Sequence, residues 1–503
     1  MIEKYYDGAI EQVAAGLGTV EKNYLLVRYS GQFSVENLND TKQLEKNEDI
    51  FVQVHEFETG EITCAYEPYL TMICDGFRRY MTGTFEEFME TCDVYYLHRP
   101  VLLGYFNQDN TGREEIILLD EVAYEQERML AALERMLCAI ADRHPVLFVL
   151  NRFQLASKST MQLTARFLKC ENCNIGLVLG VSDIQAMPEF LVPDWEMLYE
   201  TLDDGSKIYH IGNSGRKKEE TIDDEKYVDY GSEKVYRKLQ NMVEFLDFDQ
   251  AAYYLETIER KIKFDNLLVD DAARFRMWLL FVKVSILRQD IPKALEICED
   301  LEKIHLAGKE EECAYEQDYL IATAYMYQGK LKEALEMAGE TYRIAGKMSD
   351  DYRMFLSELL EAKIQMSGWY NIFFCAQDVK IKESLIQNLI RYNYRNHLAH
   401  VYIYAYDNKP EIVKKANQSE ELLIYFSRGI RIAKKLGNEY LINMAYQKNI
   451  MLSSTNGMYE ISLLYSVRTY EALKDKRSIQ AGRIYSGICL LYTSPSPRDY
   501  AAS

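Results

Sequence analysis

At 503 residues the chain is too long for one hydrophobic core, so two to four domains are expected. Its formal net charge of -20 repels phosphate backbones and anionic lipid, which argues against nucleic-acid binding by the residues present here. The sequence contains no apolar run of the roughly 18–20 residues that a membrane helix needs, and it opens without a signal-peptide pattern. We therefore expect a cytoplasmic protein that makes no membrane contact.

The first 212 residues alternate strand-like and helix-like segments. Compact apolar runs predict five strands, at 24–29, 50–54, 146–150, 175–179 and 207–211. Helical periodicity predicts helices within 1–22 and at 68–81, 85–92, 121–143 and 158–169. This alternation is typical of a mostly parallel sheet with right-handed crossovers, so an N-terminal α/β domain is predicted over residues 1–212.

A polar, charged segment at 213–232 predicts a linker, and residues 233–488 then carry only helical periodicity. The clearest repeat signature has Tyr325 before the turn at Gly329, followed by Ala334; Ala294 precedes Ala334 by 40 residues. A small residue early in the second helix lets it approach the first, and Gly ends the first helix. We predict an all-α, tetratricopeptide-like superhelix of stacked hairpins, whose repeats cannot be phased between about 350 and 425.

The last residues, 489–503, read differently from the rest of the chain. Helical periodicity stops, and Pro-Ser-Pro occurs in a chain with only 9 Pro. This stretch resembles a reading frame of a transposase-based sequencing adapter. We expect a non-native tail, with the natural sequence cut near Ile488.

Three motifs of the N-terminal region occur in an order that resembles a known family. The strand at 24–29 runs into Gly31, where a phosphate loop would begin; the segment 52–70 has a strand followed by a Tyr-x-Pro entry to a helix; and the segment 146–160 has a strand end before a Ser-rich helix start. In this order the motifs resemble the nucleotide-binding domain of STAND-type signalling ATPases, which are AAA-like. The resemblance covers residues 1–212 and implies a P-loop-NTPase-like fold, a bacterial source and a helical-repeat companion.

The phosphate loop departs from the family pattern. A working loop has Gly, four residues and then Gly-Lys-Ser/Thr, so that the backbone wraps the phosphates, Lys neutralises them and the hydroxyl binds Mg²⁺. Counting on from Gly31 places Glu36, Asn37 and Leu38 at those three positions. A carboxylate in this place repels phosphate.

Two further elements of ATP chemistry are also replaced. Where the resemblance implies acidic residues at the end of the third strand, the chain has Asn151 and Arg152. After the fourth strand, where the family frequently has Arg, the chain reads Gly-Val-Ser and then Asp183. We predict a degenerate nucleotide site with no catalytic residue and no cofactor, although ATP binding stays possible.

Three further pairs have spacings that can hold a ligand: Cys170 with Cys173, His397 with His400, and Glu56 with Glu58. None is joined by further ligands in a known metal pattern. Packing or a solvated surface is therefore the preferred interpretation of each pair, and no metal site is predicted.

These observations together predict a regulatory signal-transduction module. A pseudo-ATPase platform would be followed by helical repeats that bind a protein or peptide partner. The resemblance implies an output domain beyond the repeats, either a diguanylate cyclase or a DNA-binding helix-turn-helix, so the chain is expected to be the sensing part of a larger protein. Two alternatives stay open, namely an ATP-binding STAND switch and the N-terminal part of a diguanylate cyclase whose catalytic domain is missing.

Overall fold

The computed structural model describes most of the chain. The residues that it describes are 2–17, 24–29, 50–58, 61–109, 112–113, 115–117, 121–170, 174–182, 187–202, 208–211, 229–265, 267–366, 383–405, 427–446, 459–472, 485 and 488–489. Residues 30–49, 183–186 and 490–503 lie outside this set, and they include the predicted phosphate loop, Asp183 and all but the first residue of the predicted tail.

A parallel sheet forms the centre of the N-terminal region. Its strands, in chain order, are β1 Tyr24–Tyr29, β2 Phe51–Glu56, β3 Val146–Asn151, β4 Ile175–Ser182 and β5 Ile208–Ile211. Within the described residues they lie in the order β2-β3-β4-β1-β5, and every adjacent pair is parallel. The existence of the five predicted strands and the predicted parallel sheet are therefore confirmed, although β2 and β4 extend beyond their predicted ends.

Helices accompany these strands. In chain order they are α1 Ile2–Gly16, α2 Tyr69–Tyr80, α3 Phe85–Thr91, α4 Arg99–Asn107, α5 Val122–Ala141, α6 Lys158–Lys169 and α7 Val192–Leu202. The sequence analysis missed α4 and α7. Each has a Pro at its second position, which reads as a break in the sequence but is tolerated in the first turn, where a backbone N–H has no helical partner.

Apolar side chains bury the sheet. Every residue of β3 and of β4 is buried, as expected for strands with cover on both faces. On one face Val13 of α1 contacts the strand residues so closely that a Cβ on Gly176 would lie 2.7 Å from Val13 Cγ1. Elsewhere in the core the ring of Tyr69 in α2 packs edge-on against Phe148 of β3, with ring centroids 4.7 Å apart.

After residue 229 the described residues contain helices and no strand. The helices are α8 Glu233–Glu244, α9 Phe248–Phe264, α10 Asp271–Leu287, α11 Ile291–Leu301, α12 Glu310–Gln328, α13 Leu331–Lys347, α14 Asp351–Met366, α15 Glu383–Arg391, α16 Arg395–Ala405, α17 427–436, α18 439–446 and α19 Tyr459–Ala472. The prediction of a helical C-terminal part is confirmed. Among the described helices, none combines the length and the apolar character that crossing a membrane requires.

One kind of tight turn recurs in the described part of the helical array. A residue with positive φ comes directly before the residue that caps the next helix, and it does so at seven places: Leu246, Gln289, Gly308, Gly329, Ser349, Asn393 and Gly437. Four of these seven residues are not Gly, so a search of the sequence for Gly misses them. Five residues after Leu246, Gln289 and Gly329 come Ala251, Ala294 and Ala334, each fully buried.

Contacts divide the chain into two compact units, Met1–Gln328 and Gly329–Ser503. The first unit holds the α/β domain together with the helices α8 to α12. The second unit holds α13 and the helices after it; one part of its core is formed by Ala399 and Ile403 of α16 with Ala433, Leu441 and Ala445. The predicted domain boundaries at 212 and 232 stay predictions.

Candidate functional site

The carboxyl ends of β1 to β4 define the candidate site, which we call the strand-end site. The connection after β1 leads towards β2, whereas the connection after the neighbouring β4 leads to β5 on the other side. Adjacent strands whose connections diverge open a crevice at their carboxyl ends, and ligands of parallel α/β sheets bind there. Two residues of the degenerate nucleotide site predicted from the sequence, Asn151 and Arg152, lie at this edge.

A buried hydrogen bond joins the ends of β1 and β3. The Tyr29 hydroxyl donates to Asn151 Oδ1 over 2.7 Å, and the two residues are 1% and 0% exposed. Burial raises the pKa of the Tyr29 phenol to about 12, so the phenol is neutral and acts as the donor. The side chain of Asn151 is thus held by a phenol from the end of β1.

Arg152 continues directly from β3. Its φ of 52° lies in the left-handed region, which costs a non-Gly residue about 1 kcal/mol or more. Its guanidinium is 3.3 Å from Glu56 Oε1 at the end of β2, and both side chains are largely buried. The guanidinium of Arg152 is therefore paired within the protein.

The end of β4 is closed by a side-chain amide. Gln154 Nε2 donates to the Ser182 carbonyl over 3.1 Å, and the Ser182 N–H donates back to Gln154 Oε1 over 3.4 Å. These two bonds hold β4 beyond Leu179, where its pairing with β3 ends. The sequence analysis placed 180–182 after the fourth strand, and that boundary was wrong, because Gly180 to Ser182 are the last residues of β4.

The structure locates part of the predicted degenerate site. It brings Asn151 and Arg152 together at the strand-end site, whereas Gly31, Glu36, Asn37, Leu38 and Asp183 lie outside the described residues. The roles of all of these residues stay predictions.

The structure describes all four repeat-signature residues, whose role stays a prediction. Ala294 in α11 and Ala334 in α13 are each 0% exposed, and Gly329 has a φ of 82°. Tyr325 lies in the last turns of α12.

The three alternative ligand pairs gain no support as metal sites. Among the described residues no group of three or more His, Cys, Asp or Glu is placed to hold a metal ion. His397 and His400 are buried in α16, and burial holds the pKa of His397 well below its usual value. Cys173 lies outside the described residues, so its pairing with Cys170 stays untested.

The sequence analysis missed a cluster of hydroxyl groups at the start of α6. Ser157 caps this helix by accepting the Thr160 N–H over 3.2 Å. Ser159 Oγ accepts the Tyr66 N–H over 3.0 Å, and Thr160 Oγ1 donates to the Glu67 carbonyl over 2.9 Å. The start of α6 is thereby fastened to the segment that leads from β2 into α2.

The same helix start binds the turn between α8 and α9, residues 245–250, which we call the docking turn. Asp247 is 4% exposed and caps α9 by accepting the Gln250 N–H over 3.4 Å. Its other oxygen accepts the Ser159 N–H over 3.0 Å. Burial raises the pKa of the Asp247 carboxyl, although the two N–H donors oppose that shift. One carboxylate thus lies between the N-termini of two helices, which favour negative charge.

Further polar contacts surround this carboxylate. The Lys158 N–H donates to Gln250 Oε1 over 3.3 Å, and its ammonium pairs with Asp249, which also accepts from Arg288 Nε over 2.9 Å. The Leu246 carbonyl accepts from Gln126 Nε2 over 2.8 Å. The turn is therefore held from both α5 and α6.

Apolar contacts complete the seat of the docking turn. Phe245 is 2% exposed, and its ring packs edge-on against Tyr66 and Tyr105, with ring centroids 6.3 Å and 5.8 Å apart. Lys238 of α8 donates to the Ile62 carbonyl over 2.7 Å. The first helical hairpin therefore packs against the α/β region.

A buried ionisable pair lies between α4 and α5. His98 Nε2 is 3.2 Å from Glu125 Oε2, and both side chains are 0% exposed. Burial lowers the pKa of His98 despite the neighbouring carboxylate. For Glu125 burial opposes ionisation, but His98 and the Arg128 guanidinium outweigh it and lower the pKa. The pair is a neutral imidazole beside a carboxylate.

Two large apolar side chains are exposed, one at the last residue of α9 and one shortly after it. Phe264 is 76% exposed and Leu268 is 94% exposed.

No protein-family model matches the chain, and no curated protein matches it. Solved structures that are similar to it include a crystal structure of a Signal Transduction ATPase with Numerous Domains (STAND) protein with a tetratricopeptide repeat sensor from Pyrococcus horikoshii. The match covers 97% of this chain and 87% of that chain, with 10% sequence identity and a TM-score of 0.43.

Proposed function

We propose that this chain is a regulatory signal-transduction module, in which a P-loop-NTPase-like platform without ATP hydrolysis supports helical repeats that bind a protein or peptide partner. The buried bond between Tyr29 and Asn151 carries the proposal. Hydrolysis of a nucleoside triphosphate needs groups that hold Mg²⁺ and orient water. At the end of β3 the chain offers a neutral amide already bound to a phenol.

The charges at the strand-end site support the same conclusion. The cation at this edge, Arg152, is paired with Glu56. The loop predicted to meet the phosphates has Glu36 where a working loop has Gly. Binding of a triphosphate would have to separate an existing ion pair and accept a nearby carboxylate, and both cost free energy.

The helical repeats support partner binding. Stacked hairpins present extended surfaces that proteins use for recognition. The exposed side chains of Phe264 and Leu268 offer apolar anchors for such a partner. We also propose that the chain is the sensing part of a larger protein; sequencing the source DNA past Ile488 tests this, and a stop codon directly after it would contradict it.

Titration calorimetry of the full chain with Mg-ATP tests the absence of nucleotide chemistry. We expect no saturable heat below about 1 mM, which corresponds to a binding free energy weaker than about -4 kcal/mol. Release of inorganic phosphate, followed in the same sample, should stay at the buffer rate. A Kd below about 100 µM would establish instead the ATP-binding switch, and phosphate release that is lost in the Arg152→Ala variant would establish an enzyme.

A further inference from the structure

We propose that the docking turn transmits the position of the first helical hairpin to the strand-end site through the start of α6. Asp247, Ser159 and Asn151 are its three principal points. This goes beyond the proposed function, because it states how an event on the helices changes the platform.

The first step of the path lies within one short stretch of chain. Only residues 152–156 separate the end of β3 at Asn151 from Ser157, which caps α6. This stretch has little freedom, since Gln154 is bonded to Ser182 and residues 153–155 form a tight helical turn. A displacement of the start of α6 therefore displaces Arg152 and the end of β3.

The second step crosses from α6 to the helices. The carboxylate of Asp247 accepts from Ser159 of α6 and from Gln250 of α9, so neither helix start can move without losing a buried, charge-assisted bond or moving the other. Phe245, packed against Tyr66, prevents the turn from sliding sideways.

The next hairpin provides a matched comparison. Asp290 occupies the same place in the turn after Gln289 and accepts the Lys293 N–H of its own helix over 3.2 Å. Asp290 is exposed, whereas Asp247 is buried. The same capping residue thus has a second contact in the first hairpin.

Substitution by Ser separates the two roles of Asp247. Ser is a good N-cap, so Asp247→Ser keeps the cap of α9, but its side chain is too short to reach Ser159. Hydrogen–deuterium exchange of the full chain, followed by mass spectrometry, is the measurement. We expect exchange in peptides covering 151–169 to rise by about tenfold or more, in keeping with loss of a hydrogen bond to a charged group, while Asp290→Ser leaves these peptides unchanged.

The opposite direction gives a second, independent variant. Because coupling between two places is reciprocal, Tyr29→Phe at the strand ends should raise exchange in peptides covering 242–255. No nucleotide and no partner is added, so the result does not depend on the proposed function. The proposal is overturned if Asp247→Ser changes exchange only within α9, or if Tyr29→Phe changes it only in β1 and β3; the second result decides the matter if Asp247→Ser does not fold.

Discussion

The bond between Tyr29 and Asn151 can be weighed by a double-mutant cycle. Tyr29→Phe removes the buried hydroxyl that donates to Asn151 Oδ1, and removing one partner of a buried hydrogen bond costs about 1–3 kcal/mol. Asn151→Leu removes the acceptor of this bond and costs a similar amount. The double variant removes both polar groups, so its loss should be smaller than the sum, with a coupling of about 1–2 kcal/mol.

The loss of stability is best measured at the ends of β1 and β3 themselves, because a chain with two compact units need not unfold in one step. Exchange protection of peptides covering β1 and β3, measured near pH 7, reports the opening of this edge. A loss of 1.4 kcal/mol appears as about a tenfold faster exchange.

The same pair predicts a dependence on alkaline pH. The pKa of Tyr29 is about 12 in the folded chain and about 10 when unfolded, so the contribution of the neutral phenol is complete below pH 10 and declines as the pH rises towards 12. By pH 11 about 1.4 kcal/mol of the advantage over Tyr29→Phe should be lost. Comparison with that variant cancels the other tyrosines.

Two results would refute this reasoning. If Tyr29→Phe changes protection by less than about 0.5 kcal/mol, the hydroxyl does not hold the strand ends together. If the free-energy losses of the two single variants add up to the loss of the double variant, Tyr29 and Asn151 do not stabilise one another, and this contact does not close the strand-end site.

Two further predictions concern other parts of the chain. The imidazole of His98 stays neutral in the folded chain, whereas in the unfolded chain it takes up a proton below about pH 6.5, so the folded state loses stability on acidification. In His98→Gln, melting curves should show a shallower loss of stability between about pH 6.5 and 5, by up to about 1.4 kcal/mol per pH unit. An unchanged slope would show that His98 is not the group responsible. The double variant Phe264→Ser, Leu268→Ser should bind a partner about tenfold more weakly when the full chain is immobilised to capture it. Its melting temperature should not fall, because both side chains are exposed. Undiminished capture would place the contact surface elsewhere.

Local sequence was a reliable guide to the strands. Residues 146–150 form an uninterrupted apolar run, and that pattern alone predicts a strand covered on both faces. It failed where one residue type has two meanings. Pro at the second position of α4 and α7 marks a helix start, although the same residue inside a helix would break it.

The repeats show the limit of reading turns from Gly. At Leu246 and Gln289 a non-Gly residue adopts a positive φ, because the helices on either side pack well enough to offset the local strain of about 1 kcal/mol. Propensity favours Gly at such a place, and tertiary packing overrides it. The turn at Leu246 therefore became visible only from the backbone conformation.

The sequence by itself determined which segments form the five strands and most of the helices, because these depend on residue types and on short spacings. The structure decided which distant residues meet. Tyr29 and Asn151 are 122 positions apart, and Asp247 lies 88 positions from Ser159. Such meetings depend on the order of strands in the sheet and on where the first hairpin packs, and both are set by long-range burial of apolar surface, which no local pattern encodes.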